Sequence, residues 1–135
     1  MTVRDASLLV GRLMLVVLYL VSGFGKWSNL AGTAAAIAAK GFPAPFAFAV
    51  IAATAEVLGA VAVALGILPR LAAPGLAVYT LITAVVFHAF WAAPDAAAAE
   101  MQTIHFLKNL GLAGGFLILA GVGAGRFALM RKRRT

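Results

Sequence analysis

A chain of 135 residues that is 64% hydrophobic and only 11% charged lies far from soluble domains, which are about half apolar and about a quarter charged. This composition excludes a soluble globular enzyme, a disordered tail and a coiled coil, and leaves an integral membrane protein of one domain. A net charge of +7 would suggest nucleic acid in a soluble chain, and the absence of cysteine excludes disulfides, thiol chemistry and cysteine-ligated metal sites.

Spans of about 20 mainly apolar residues are long enough to cross a bilayer. Four are expected, at 6–25, 45–68, 71–92 and 104–125. The first contains Arg12; its uncharged stretch, Leu13 to Gly25, has only signal-peptide length. Lys26 and Trp27 stand where a small-residue cleavage site would have to be, so the segment reads as a true span. Residues 29–40 are alanine-rich, with Asn29 as a helix cap and Gly41 as a stop before Phe42-Pro43, which predicts a short helix on the outer surface. The second span carries Glu56, and the turn Leu68-Pro69-Arg70 is short enough to make the second and third spans an antiparallel hairpin. His88 closes the third span, Asp95 caps a second outer helix over 95–102, and Lys108 and Asn109 open the fourth. The predicted fold is an all-α, four-transmembrane-helix bundle with short outer-surface helices. It forms a single membrane domain, 1–135, ending in a basic tail at 126–135.

Topology follows from the positive-inside rule. The run Arg131-Lys132-Arg133-Arg134 favours the cytoplasm, and an even number of spans puts the N-terminus there too. Residues 4, 12, 70, 126 and 131–134 are then inside, against Lys26, Lys40 and Lys108 outside. The localisation expected is a bacterial inner membrane with both termini cytoplasmic. Anionic lipid and topology account for the tail, so no nucleic-acid partner is expected.

A charge within a bilayer is costly and should face the bundle interior with a partner. Arg12, Tyr19 and Lys26 share one face of the first helix at intervals of seven, and Ala52, Glu56, Ala60 and Ala64 form a small-residue stripe on the second. Thr80, Ala84 and His88 do the same on the third. Lys108, Gly111 and Gly115 do so on the fourth, where Gly111 and Gly115 make a GxxxG. At about 1.5 Å per residue, Glu56 and Tyr19 lie roughly 18–20 Å from the cytoplasmic side and Arg12 roughly 9 Å. Two sites are therefore predicted. One is a buried seam pairing Arg12 with Glu56, with Tyr19 donating to Glu56. The other is an outer mouth of Lys26, His88, Lys108 and Asn109.

Each has a plainer reading. Arg12–Glu56 can be an ion pair that fixes helix register, the lysines can snorkel to headgroups, Asn109 can bridge two helices, and His105 can be solvated. A metal bound by His88 and His105 has no supporting spacing. Trp27 and Trp91 belong to an interfacial aromatic belt.

The ordered set Arg12, Ser22-Gly23, Lys26, Gly41-Phe42-Pro43, Glu56 with Gly59, Gly66, Arg70, His88, Lys108-Asn109-Leu110, Gly114-Gly115 and Gly121 resembles the DoxX family of small bacterial four-helix membrane proteins, from Leu8 to about Gly125. The resemblance implies an inner-membrane protein. Some members are subunits of thiosulfate:quinone oxidoreductase, and others are linked to oxidative, thiol or quinone stress. This chain has no cysteine and no soluble subunit, which argues against a self-sufficient enzyme.

Three functions are weighed. The first is a membrane subunit of a redox system that holds quinone, with His88 and Glu56 as the candidate catalytic groups and Lys26 or Lys108 stabilising a reduced anion. The second is a non-catalytic anchor or scaffold for a redox partner, or a homo-oligomer. The third is a small proton-linked transporter using Arg12 and Glu56. No nucleotide, phosphate or haem motif is present, so quinone is the one cofactor to consider.

Overall fold

The computed structural model describes residues 2–130, and there the chain is entirely helical between its connections. The helices are α1 (Val3–Ser28), α2 (Leu30–Ala38), α3 (Pro45–Leu65), α4 (Pro69–Phe87) and α5 (Ala96–Val122), with a 3-10 turn at Phe90–Ala92. Local chemistry sets each start. Thr2 and Asp5 form a reciprocal capping box at α1. Asn29 ends α1 and caps α2 through Gly32 N–H. Pro45 and Pro69 open α3 and α4 at the position where a missing N–H costs nothing. Proline bars the preceding residue from the right-handed helical region; Ala44 and Leu68 answer with positive φ, 48° and 43°.

α1, α3, α4 and α5 are long and apolar enough to cross a membrane. One expectation changes. The outer helix predicted at 95–102 is not separate: Asp95 accepts from Ala98 N–H, and the helix so begun runs on through Val122. The third span ends at Ala92 as expected, although its α-helix is capped by His88 and the last turn is the 3-10 one. The four N-terminal N–H groups of α5 need a cap wherever the helix begins, so Asp95 could not show from sequence that the helix continued.

We call the end where α1 begins and α5 ends proximal, and the end carrying α2 distal. The broadest interfaces are α1 with α3 and α4 with α5, while α1 and α5 barely touch. The packed core occupies the proximal half: Val16, Ala60, Val63, Ala73, Leu76, Ala113 and Phe116, with Tyr19 edge-on to Phe116. A second, smaller cluster joins α2 to α3 through Ala34, Ile37 and Ala49, with Phe42 and Phe87 against it. Large side chains such as Met14, Leu58 and Ile118 point outward. This is the arrangement expected when lipid rather than water is the solvent, because close helix approach then depends on small residues. Gly59 meets Leu76 and Gly115 meets Leu15 in this way, whereas Gly111 touches nothing within 4 Å. The inward face of α5 runs through Asn109, Ala113 and Phe116, one residue round from the Lys108–Gly111–Gly115 face expected.

Candidate functional site

Arg12 and Glu56 do not meet. Arg12 is 2% exposed; its two terminal nitrogens donate to the carbonyls of Ala124 and Phe127, at 2.7 and 2.6 Å, just beyond the end of α5. Its Nε has no partner among the described residues. Gly66, at φ 68°, lets the guanidinium through: a Cβ there would lie 2.8 Å from Nη1 and 2.5 Å from the Ala128 Cβ. Leu129 and Met130 N–H then bond to the carbonyls of Leu65 and Gly66, strapping this segment over the proximal end. The reason for the miss is side-chain direction. Helical side chains lean toward their own N-terminus, so Arg12 leans proximally, and Glu56, on antiparallel α3, leans distally. Register seals it, because Gly23 rather than Arg12 packs on Glu56 and Val57.

The same rule brings Lys26 to Glu56. Lys26 leans proximally into the bundle and donates to both Glu56 oxygens at 2.9 Å and to Ser22 Oγ. Its three protons are thereby all engaged. Tyr79 on α4 donates to Glu56 Oε1 at 2.6 Å. Tyr19 does not reach Glu56; its hydroxyl donates to Thr80 Oγ1 at 2.6 Å, and Thr80 in turn donates to the Leu76 carbonyl. Tyr79 is the residue that sequence reasoning missed. Its signal was a tyrosine in mid-span, whose hydroxyl must find a partner once buried.

These groups form the polar wall of a cavity of about 820 Å³ in the distal half, lined by α1, α2, α3 and α4 and, from α5, by Lys108 and Asn109. The two sites expected from sequence are therefore one, since Glu56, Tyr19, Lys26, His88, Lys108 and Asn109 all line it. Arg12 alone lies elsewhere. Volumes of roughly 300–1,000 Å³, mostly apolar with a few placed polar groups, are typical of small-molecule sites.

Three groups in this cavity remain free to meet a ligand. Asn109 is 6% exposed, and its carboxamide has no hydrogen-bond partner among the described residues. Among the described residues Glu56 Oε2 accepts only from Lys26. His88 Nδ1 sits 2.9 Å from Gln102 Oε1; that carbonyl oxygen can only accept, so in the neutral ring Nδ1 carries the proton and Nε2 is left as an acceptor. His105 is not simply solvated: its ring stacks on His88 with centroids 5.0 Å apart, and its Nδ1 lies 3.3 Å from Lys108 Nζ. Trp91 packs with Phe90 and Phe106 at the distal edge. No cluster of three potential metal ligands occurs among the described residues.

The DoxX family profile matches residues 7–89. The chain belongs to the DoxX family. It is 38% identical to an Escherichia coli K12 protein, "Inner membrane protein YphA", over 130 residues covering 96% of this chain and 91% of that one. It is 34% identical to "Inner membrane protein YqjF" of the same organism, over 95% of this chain and 92% of that one. No solved structure matches it significantly. This DoxX protein is thus an integral membrane protein with four apolar helices.

Proposed function

We propose that this DoxX protein is a membrane subunit of a redox-linked system that holds a quinone in the distal cavity. The observation that carries the reading is the cavity itself, whose apolar walls surround the polar wall of Lys26, Glu56 and Tyr79. A plain anchor needs only a close-packed seam, and the hollow distal half weighs against that role. Asn109 would hydrogen-bond a ring oxygen, and His88 and Glu56 would exchange protons with it, while the Lys108 cation would favour the reduced, anionic form. The electrons would come from a redox protein, because a chain without cysteine cannot hold a cysteine-ligated iron–sulfur cluster. The setting is the inner membrane, with the proximal end cytoplasmic. Both E. coli relatives bear that location in their names, and Arg4, Arg70 and Arg126 gather at the proximal end; the Arg131–Arg134 run lies outside the described residues.

Binding of a short-chain quinone analogue to the purified protein tests the proposal. Saturable binding, weakened in His88→Ala and Asn109→Leu, is expected. No saturable binding by a protein that melts cooperatively would overturn it.

A further inference from the structure

The cavity has a floor, a roof and an open flank. The floor is where α3 and α4 touch, at Gly59 against Leu76 and at Glu56 bonded to Tyr79. The roof is α2, whose Ile37 packs in the small cluster with Ala49, Phe42 and Phe87. Between floor and roof, Ile51 of α3 and Ile82 of α4 both line the cavity, yet they are 61% and 56% exposed. The antiparallel register set by Gly59–Leu76 and Glu56–Tyr79 puts these two isoleucines within a turn of the same level. They are the lips of a window, and both lips are hydrocarbon. The outer surface around them is the apolar, lipid-facing one. The opposite flank, toward α1 and α5, carries Lys108 instead.

We infer that ligands reach the cavity sideways from the bilayer, between α3 and α4 past Ile51 and Ile82, and that the ligand class is a membrane-dissolved amphiphile. Its small hydrogen-bonding head lies against Asn109 and Glu56, and its hydrocarbon tail leaves through the window into lipid. Hydrocarbon lips opening onto lipid suit a ligand with a hydrocarbon tail and offer nothing to a water-soluble one. The inference deepens the quinone reading of the same cavity, but the window can be tested without knowing the ligand.

The absence of cysteine makes that test clean. Thr83 lines the cavity, and a Thr83→Cys variant in lipid nanodiscs provides one thiol there. Two probes compete: a maleimide carried on an acyl chain dissolved in the bilayer, and a charged, membrane-impermeant maleimide in the water. The lateral route predicts faster labelling by the acyl-chain probe, slowed about tenfold when Ile51→Trp and Ile82→Trp narrow the access path. Ile51→Ala with Ile82→Ala should speed it instead, which keeps the test decisive if the tryptophan pair disturbs folding. Faster labelling by the aqueous probe, or an acyl-probe rate indifferent to both pairs, would overturn the lateral route. Protection of the thiol by a long-chain quinone is read separately. Its absence alongside window-dependent labelling would remove quinone as the occupant and leave the route and ligand class standing.

Discussion

The proximal and distal halves each turn a basic residue of α1 into the bundle, and they treat it in opposite ways. Among the described residues Arg12 finds two backbone carbonyls, in a close-packed setting beside Gly66. Lys26, fourteen positions on, finds a carboxylate, a serine and an open cavity. The guanidinium fork suits two fixed acceptors, and the ammonium suits a small, rearrangeable polar cluster. Residue class and helix face are the same for both; only the surroundings separate a fastener from a candidate site. A buried charge in a membrane helix therefore marks a place to look, and the count of its satisfied and free partners says what was found there.

The comparison breaks most readily in the proximal core. Phe116, with no exposed surface, should cost about 3–5 kcal/mol as Phe116→Ala, measured by thermal unfolding in detergent; a loss below 1 kcal/mol would mean that half is not close-packed. Next is Arg12→Met, which strands the buried Ala124 carbonyl at about 1–3 kcal/mol and the part-buried Phe127 carbonyl at less. Its stability should fall by about 3 kcal/mol, with ligand affinity unchanged in the folded fraction. If affinity falls and stability does not, Arg12 belongs to the site after all.

In the distal half the effects are smaller and coupled. Glu56→Gln and Lys26→Met should each destabilise, and the double variant should cost less than their sum by about 1–3 kcal/mol, since each single change strands the other partner. Lys26 is partly exposed, which puts the value toward the lower end. Additivity within error would dissolve the pair. Smallest is Gly111→Ala, which meets nothing and should stabilise by about 0.5–1 kcal/mol through helix propensity. Gly115→Ala presses on Leu15 and should destabilise. Equal effects at the two glycines would show that the sequence GxxxG packs as a unit, contrary to the structure.

The four spans were legible because hydrophobic length is a one-dimensional property, and so were the caps at Asn29 and Asp95. The partners of the buried charges were not. Arg12 and Glu56 have the right signs and plausible depths, but depth counted from span ends ignores which way each side chain leans and which residues face each other. Lys26 is expected at the outer mouth because it sits near a helix end; its lean carries it inward to Glu56. Tyr79 was passed over because the small-residue stripe on α4 ran one position away, through Thr80. The cavity, lined by side chains from all five helices, has no signature in sequence at all.

Arg12 also sets an order of assembly. Its two acceptors lie 112 and 115 residues later in the chain. During synthesis the first helix to reach the membrane therefore carries a charge that nothing yet made can satisfy. Only when the segment beyond α5 has emerged and folded back over Gly66 does that charge acquire its partners. The bundle is thus latched by its last-made part acting on its first, so a chain interrupted before residue 124 would leave an open latch on α1, a mark by which an incomplete product differs from a finished one.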